Sequence, residues 1–164
     1  MYLAQDFMSA AVDEAMKTRE TEDVPVGAVL VRNNEIIARG YNKVQLLNNP
    51  LCHAEIIAIN SAVAFLGTKY LIDCDMYVTL EPCCMCAGAI VLSRIRRLYI
   101  GVEDAKSGAC GSVFNIFQDK NLNHKPEIYF GINEEKCKAL LVDFFKNIRE
   151  QSCTRKEISC EFKV

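Results

Sequence analysis

Neither sign of charge is in excess here: 19 lysines and arginines against 21 acidic residues leave a net charge of -2. That balance excludes a chain held open by its own repulsion, and it means that any contact with a polyanion must be local. A membrane-length run is also lacking. The longest strongly apolar stretch, Cys83 to Leu92, is about half of the ~20 residues a bilayer requires, and it reads as a buried helix. The first eleven residues have no basic start and place Asp6 inside the apolar stretch, so no export signal is expected and the expected compartment is the cytoplasm. Repeats and low-complexity tracts are absent. Histidine is scarce: only His53 and His124 are available to any imidazole chemistry.

Cysteine, by contrast, is plentiful. Nine cysteines, an odd number, in a chain without an export signal argue against a disulfide framework and for reduced thiols, some of which bind metal. Cys74, Cys110, Cys137, Cys153 and Cys160 stand alone in the sequence and read as small buried hydrophobes. With 164 residues and 51% hydrophobic content the chain can bury one core, so one domain is expected over residues 1–150, followed by a polar, frayed tail at 151–164.

Apolar residues near helical spacing from Asp6 to Arg19 predict an amphipathic opening helix. Val26 to Val31 and Glu35 to Tyr41, joined by Asn33-Asn34, predict a β-hairpin. After the break at Asn48-Asn49-Pro50, His53 to Phe65 is apolar on nearly every side and predicts a buried helix. Met76 to Leu80 alternates as a strand, Pro82 fits the first turn of a following helix, and Cys84 to Leu92 is again apolar on most faces. Arg97 to Val102 and Ile128 to Gly131 read as strands, Lys106 to Gly111 as a glycine-punctuated loop, and Glu134 to Arg149 as a closing helix. Strands alternating with buried helices imply a layered α/β sheet.

The chemistry is concentrated in two short motifs at two of these helix starts: His53-Ala54-Glu55 and Pro82-Cys83-Cys84-Met85-Cys86. A Cys-x-x-Cys at a helix start suits either metal ligation or thiol-disulfide exchange, because helix N-terminal amides stabilise thiolates in both, and spacing alone leaves both open. Cys83 and Cys86 share one helical face and can grip one ion, and zinc takes thiolate and imidazole ligands. His53, at the start of the other buried helix with a carboxylate two positions on, is the natural third ligand. Three protein ligands plus one open position is the catalytic zinc pattern, in which bound water becomes acidic at a pH of about 7 and a neighbouring carboxylate, Glu55, can take its proton. Residues two apart point to different faces of a helix, so His53 is expected at a cap position and not inside the helix. Cys52 and Cys84, beside the chosen ligands, are expected to pack or to support them.

His-x-Glu followed by Pro-Cys-x-x-Cys resembles the signature of the cytidine and nucleobase deaminase superfamily. Val24 to Val29, Asn42, His53 to Glu55, Tyr77 to Cys83 and Met85 to Ile90 together resemble the bacterial tRNA-specific adenosine deaminases. The likeness continues through Ser93 to Ile95, Asp104 to Lys106, Gly111-Ser112, Asn123-His124 and Phe144-Phe145. It implies a three-layer α/β/α fold around a central five-stranded mixed sheet, one Zn2+ per subunit, a homodimer, and a tRNA anticodon arm as partner. It also implies the reaction, which these residues alone do not supply: water attacks C6 of the wobble adenosine to give inosine, with Glu55 shuttling protons. By the same resemblance His53, Cys83 and Cys86 hold the metal and Asn42 contacts the nucleoside. Asp104 and Lys106 lie against the anticodon backbone, and Phe144, Lys146 and Arg149 lie near the RNA path. Arg94, Arg96 and Arg97 add local positive charge that would suit phosphate.

Three other readings remain at this point, one of them a structural zinc module that merely binds RNA and would not need Glu55. A free-base or nucleoside deaminase acting on guanine or cytidine would share the metal site and differ in its loops. A thiol-disulfide oxidoreductase would need neither His53 nor Glu55.

Overall fold

Alternation along the first hairpin decides how the molecule is layered. In β1 (Gly27–Arg32) every residue from Gly27 to Val31 is buried, so this strand has no face turned to water. Val29 and Val31 point to one side, where they meet Phe7, Met8 and Ala11 of α1 (Ala4–Met16). Ala28 and Leu30 point to the other, where they meet Ala54 and Ala58 of α2 (Ala54–Leu66). A strand covered on both faces requires helices on both sides of its sheet.

The computed structural model describes the backbone of residues 4–161 and the side chains of residues 4–150. Its elements continue with a 3₁₀ turn at Lys17–Glu20, β2 (Glu35–Tyr41), β3 (Cys74–Leu80), α3 (Cys84–Ser93), β4 (Arg97–Val102), a short turn at Ile116–Gln118, β5 (Glu127–Tyr129) and α4 (Glu134–Glu161). The five strands run in the order β2-β1-β3-β4-β5. β1 pairs antiparallel with β2 and β3, while β4 pairs parallel with β3 and β5. The sheet is therefore mixed. α1 and α4 cover one face, and α2 and α3 cover the other.

The hairpin turns at Asn33 and Asn34, whose φ of 50° and 64° are the paired positive values that a two-residue turn between right-twisted strands requires. Helix α2 ends at Gly67, in the left-handed conformation that closes many helices. Cys74, Cys110 and Cys137 are buried, as expected of isolated thiols; the side chains of Cys153 and Cys160 lie outside the described residues.

Some boundaries differ from the sequence pattern. Pro82 precedes the N-cap, Cys83, and does not enter the first turn of α3. The last strand closes at Tyr129, two residues before Gly131, whose φ of 80° leaves the strand region. The backbone of α4 stays helical to Glu161, since residues 134–161 contain neither glycine nor proline to stop it, so the frayed tail expected after Glu150 begins as helix. Helices α2 and α3 are not buried all round: Phe65 is 69% and Leu92 78% exposed on their outer sides. No described helix is long and apolar enough to cross a membrane.

Candidate active site

The two motifs meet because both helices that carry them start at the same end of the sheet. β3 runs straight through Leu80 and Glu81 into the turn at Pro82, and Cys83 becomes the N-cap of α3 with φ −73° and ψ 175°. His53 is the N-cap of α2 with φ −73° and ψ 153°, the position that the His-x-Glu spacing demanded. Neither side chain caps its own helix, which leaves both to face one another.

Cys83 Sγ stands 3.7 Å and Cys86 Sγ 3.5 Å from His53 Nδ1. A tetrahedral zinc with bonds of about 2.3 Å to sulfur and about 2.05 Å to nitrogen has N···S edges of about 3.6 Å. The donor set thus fits zinc in chemistry and in size. Among the described residues His53, Cys83 and Cys86 form the one group of three metal-type side chains whose ligand atoms lie within 4.8 Å of one another.

The electrostatics agree. The Cys83 thiol is drawn down to about 3, first by its hydrogen bond with Cys86 and then by that with His53, so it is a thiolate at neutral pH. His53 is raised, chiefly by the same bond with Cys83. Cys86 is pushed upward as the partner of that thiolate and by burial. A cation at these three groups would hold them deprotonated, so metal binding would release protons. Glu55 is 3% exposed, and burial raises its carboxyl, which brings it toward the range in which a carboxylate both takes and returns a proton.

These groups open onto a cavity of about 510 Å³, inside the range usual for small-molecule sites. Its wall includes His53, Glu55, Cys83, Asn42, Asp104 and Lys106, so most of the residues singled out by sequence converge on it. Asn42 is pinned by both ends of its amide: Oδ1 accepts from Ala54 N–H at 2.9 Å and Nδ2 donates to the Val24 carbonyl at 3.1 Å. Each amide atom has capacity for one further bond, so a ligand can still use it. The Asp104 carboxylate is engaged within its own loop, accepting from the Lys106 N–H and the Ser107 hydroxyl.

The other residues named from the sequence stand beside this cavity or away from it. Phe144 lines a neighbouring cleft with Arg19 and Leu140, and it is Phe145, together with Leu141 one helical turn earlier, that faces the cavity. The i, i+4 spacing of Leu141 and Phe145 is the signal that separates them from Phe144. Arg149, exposed on α4, lines neither cavity. Arg96 makes a two-pronged bond to Asp75 and Arg97 a bond to Glu127, both at the amino end of β4, the far end of the sheet from the ligands; Arg94 lies over the Tyr70 ring. Cys84 is exposed and Cys52 half-buried.

Sequence reasoning also passed over Asp23 and Glu81. Asp23, 1% exposed, accepts the N–H groups of Gln45 and Leu46 and so tethers one loop beside the cavity. Glu81 does the same for the loop opposite.

The profile of the cytidine and deoxycytidylate deaminase zinc-binding region matches residues 1–102, more than half of the chain. The chain belongs to that deaminase family. Within it, the chain is 43% identical over 154 residues to the tRNA-specific adenosine deaminase of Bacillus subtilis, covering 93% of this chain and 96% of that one. A solved tRNA:A34 deaminase, from work on A-to-I editing at the wobble position of transfer RNA, superposes with a TM-score of 0.80 at 44% identity, covering 83% of this chain and 99% of its own. A guanine deaminase from Bacillus subtilis superposes less fully, with a TM-score of 0.60 at 38% identity, over 62% of this chain and 66% of its own. The deaminase described here is accordingly a zinc-dependent hydrolytic enzyme, and His53, Cys83 and Cys86 form a group that could hold its metal.

Proposed function

We propose that this deaminase converts adenosine to inosine at the wobble position of a tRNA anticodon. The observation that carries the reading is the open His53–Cys83–Cys86 donor set beside the buried Glu55, in a chain 43% identical along almost its whole length to a tRNA-specific adenosine deaminase.

Zinc held by His53, Cys83 and Cys86 supplies a Lewis acid that makes water a proton donor near neutral pH. Glu55 takes one proton from the attacking water and delivers it to ring N1 as the oxygen adds to C6. It then takes the hydroxyl proton of the tetrahedral carbon and hands it to the amino nitrogen, so that the C6–N6 bond breaks and ammonia leaves. One water is consumed and one ammonia released. Burial serves this shuttle, because a raised carboxyl returns a proton more readily than one at its ordinary value.

Asn42 orients the nucleoside from the cavity wall. Asp104 and Lys106 form the rim against the anticodon backbone, and Lys106 lies 5.9 Å from the centre of the Phe145 ring, closing the rim against α4. Phe144, Lys146 and Arg149 carry the RNA path onward along α4. The deaminase unit spans residues 1–150, with 151–164 outside it. We read the enzyme as a cytoplasmic homodimer, supported by the exposed apolar Phe65 and Leu92 on the α2/α3 layer.

The test is direct. A tRNA transcript with adenosine at the wobble position, incubated with the zinc-loaded protein, digested and measured by mass spectrometry, gains inosine at that position. Release of ammonia from free guanine with no inosine in the tRNA would replace this reading with that of a free-base deaminase.

A further inference from the structure

One buried carboxylate stands immediately before the Pro82-Cys83 turn and takes no part in the proton transfers. Glu81 is 3% exposed. Oε1 accepts the N–H groups of Cys110 at 2.8 Å and Ser112 at 3.2 Å. Oε2 accepts the Asp104 N–H at 3.0 Å and the Ser112 hydroxyl. Its own N–H donates to the Val102 carbonyl at 2.9 Å, fixing it to the end of β4, and the next carbonyl, that of Pro82, accepts from Ala109 N–H at 2.9 Å. Residues 103–112 are therefore gathered on one side chain.

The gathered segment includes the cavity rim. Glu103, Ala105, Lys106 and Ser107 are exposed, so apolar burial does little to decide where they stand, whereas Gly108, Ala109 and Cys110 are buried behind them. The tip is a small unit of its own, since the Asp104 carboxylate binds the Lys106 N–H and the Ser107 hydroxyl, and Asp104 in turn gives its N–H to Glu81. Gly108 shows how close the approach is: a Cβ there would collide with the Glu81 carboxylate and the Ser112 hydroxyl. The loop is shaped around this carboxylate.

We propose that Glu81 is a positioning residue for substrate recognition, whose carboxylate sets where the 103–107 rim stands against the substrate without touching the reacting atoms. The inference rests on the reading of that rim as part of the RNA site. A glutamine at 81 would turn an amide NH2 toward groups that are themselves donors, and the rim would lose half of its tether. Because the rim binds substrate while the chemistry lies with Glu55 and the metal ligands, the loss belongs in KM and not in kcat.

Three variants test this on the zinc-loaded enzyme with wobble-adenosine tRNA: Glu81→Gln, Ser112→Ala and Lys106→Ala, each with zinc content, hydrogen exchange of the 103–112 amides, KM and kcat. Glu81→Gln is expected to keep its zinc, to speed exchange in the loop, and to raise KM about tenfold with kcat within about twofold of wild type. Ser112→Ala, which removes one donor at an exposed position, moves the same quantities in the same direction by about threefold, and it decides the matter if Glu81→Gln does not fold. Faster loop exchange with unchanged KM in both would overturn the proposal, as would a fall in kcat with loss of zinc, which would assign the carboxylate to the thiolate turn. A raised KM in Lys106→Ala alone would sink the positioning role and keep the rim. An unchanged KM in all three would remove the rim reading, and the proposal with it.

Discussion

Three acids of this protein are almost fully buried near the cavity, and their partners separate their roles. Asp23 and Glu81 each receive several backbone N–H groups, which is what a buried carboxylate needs to be tolerated. Glu55, at the second residue of α2, is raised by burial and faces the cavity. Its replacement should therefore cost turnover and little else. Glu55→Gln is expected to lower kcat by a factor of about 10² to 10⁴ while zinc content and melting temperature stay close to wild type, as read by inosine formation, metal analysis and calorimetry. Ordinary turnover in that variant would remove Glu55 from the mechanism. At this scale the sequence was informative for the His53, Cys83 and Cys86 group and the carboxylate beside it, because metal chemistry restricts residue types, but silent on Asp23 and Glu81, whose meaning lies in N–H groups 22 to 31 residues away.

Elements bring the ligands together only as well as they pack. Gly40 of β2 faces α2 so closely that a Cβ there would stand 2.8 Å from Ala58 N and 3.2 Å from Ile57 Cβ, and would collide with the Ala54 carbonyl. Gly27 of β1 meets α1 in the same way, at Ala11 and Ala15. Alanine at either position forces its helix outward and should cost about 1–3 kcal/mol, measured by chemical denaturation. The two differ in what moves. Helix α2 carries His53 at its first cap, so Gly40→Ala should also weaken zinc binding in competition with a chromophoric chelator. Helix α1 carries no ligand, and Gly27→Ala should leave zinc affinity unchanged. Equal zinc affinity in both variants would show that α2 does not transmit its position to the site. The elements themselves were readable from period and turn residues, since Asn33-Asn34 and the apolar run of β1 leave few alternatives. Their sidedness was less so: an all-apolar α2 and α3 looked buried throughout, yet Phe65 and Leu92 face outward.

For the whole molecule, the metal and the assembly are the open variables. A cation at His53, Cys83 and Cys86 ties the starts of α2 and α3 together, so its removal by a chelator should abolish turnover and lower the melting temperature. A ligand present at about a thousand times its dissociation constant stabilises by about 4 kcal/mol, and added zinc should restore both properties. A melting temperature indifferent to chelation would mean that the site contributes nothing to the fold. Sedimentation should give twice the mass of the chain, and Phe65→Glu with Leu92→Glu should shift it toward the monomer. Wild-type protein sedimenting as a monomer at assay concentration would end the dimer reading.

The order of elements, the mixed α/β character, and the choice of His53, Cys83, Cys86 and Glu55 as the candidate metal and proton-transfer groups were determined by the sequence alone, because period, turn chemistry and metal-donor type are local properties. Tertiary structure decided which face of α4 meets the cavity, setting Phe145 on its wall and Phe144 on that of the neighbouring cleft. It sent Arg96 and Arg97 to the far end of the sheet, into ion pairs with Asp75 and Glu127. It also gathered the rim of the cavity onto Glu81. Each of these depends on contacts between segments distant in the chain, where neither spacing nor composition states who the partner is.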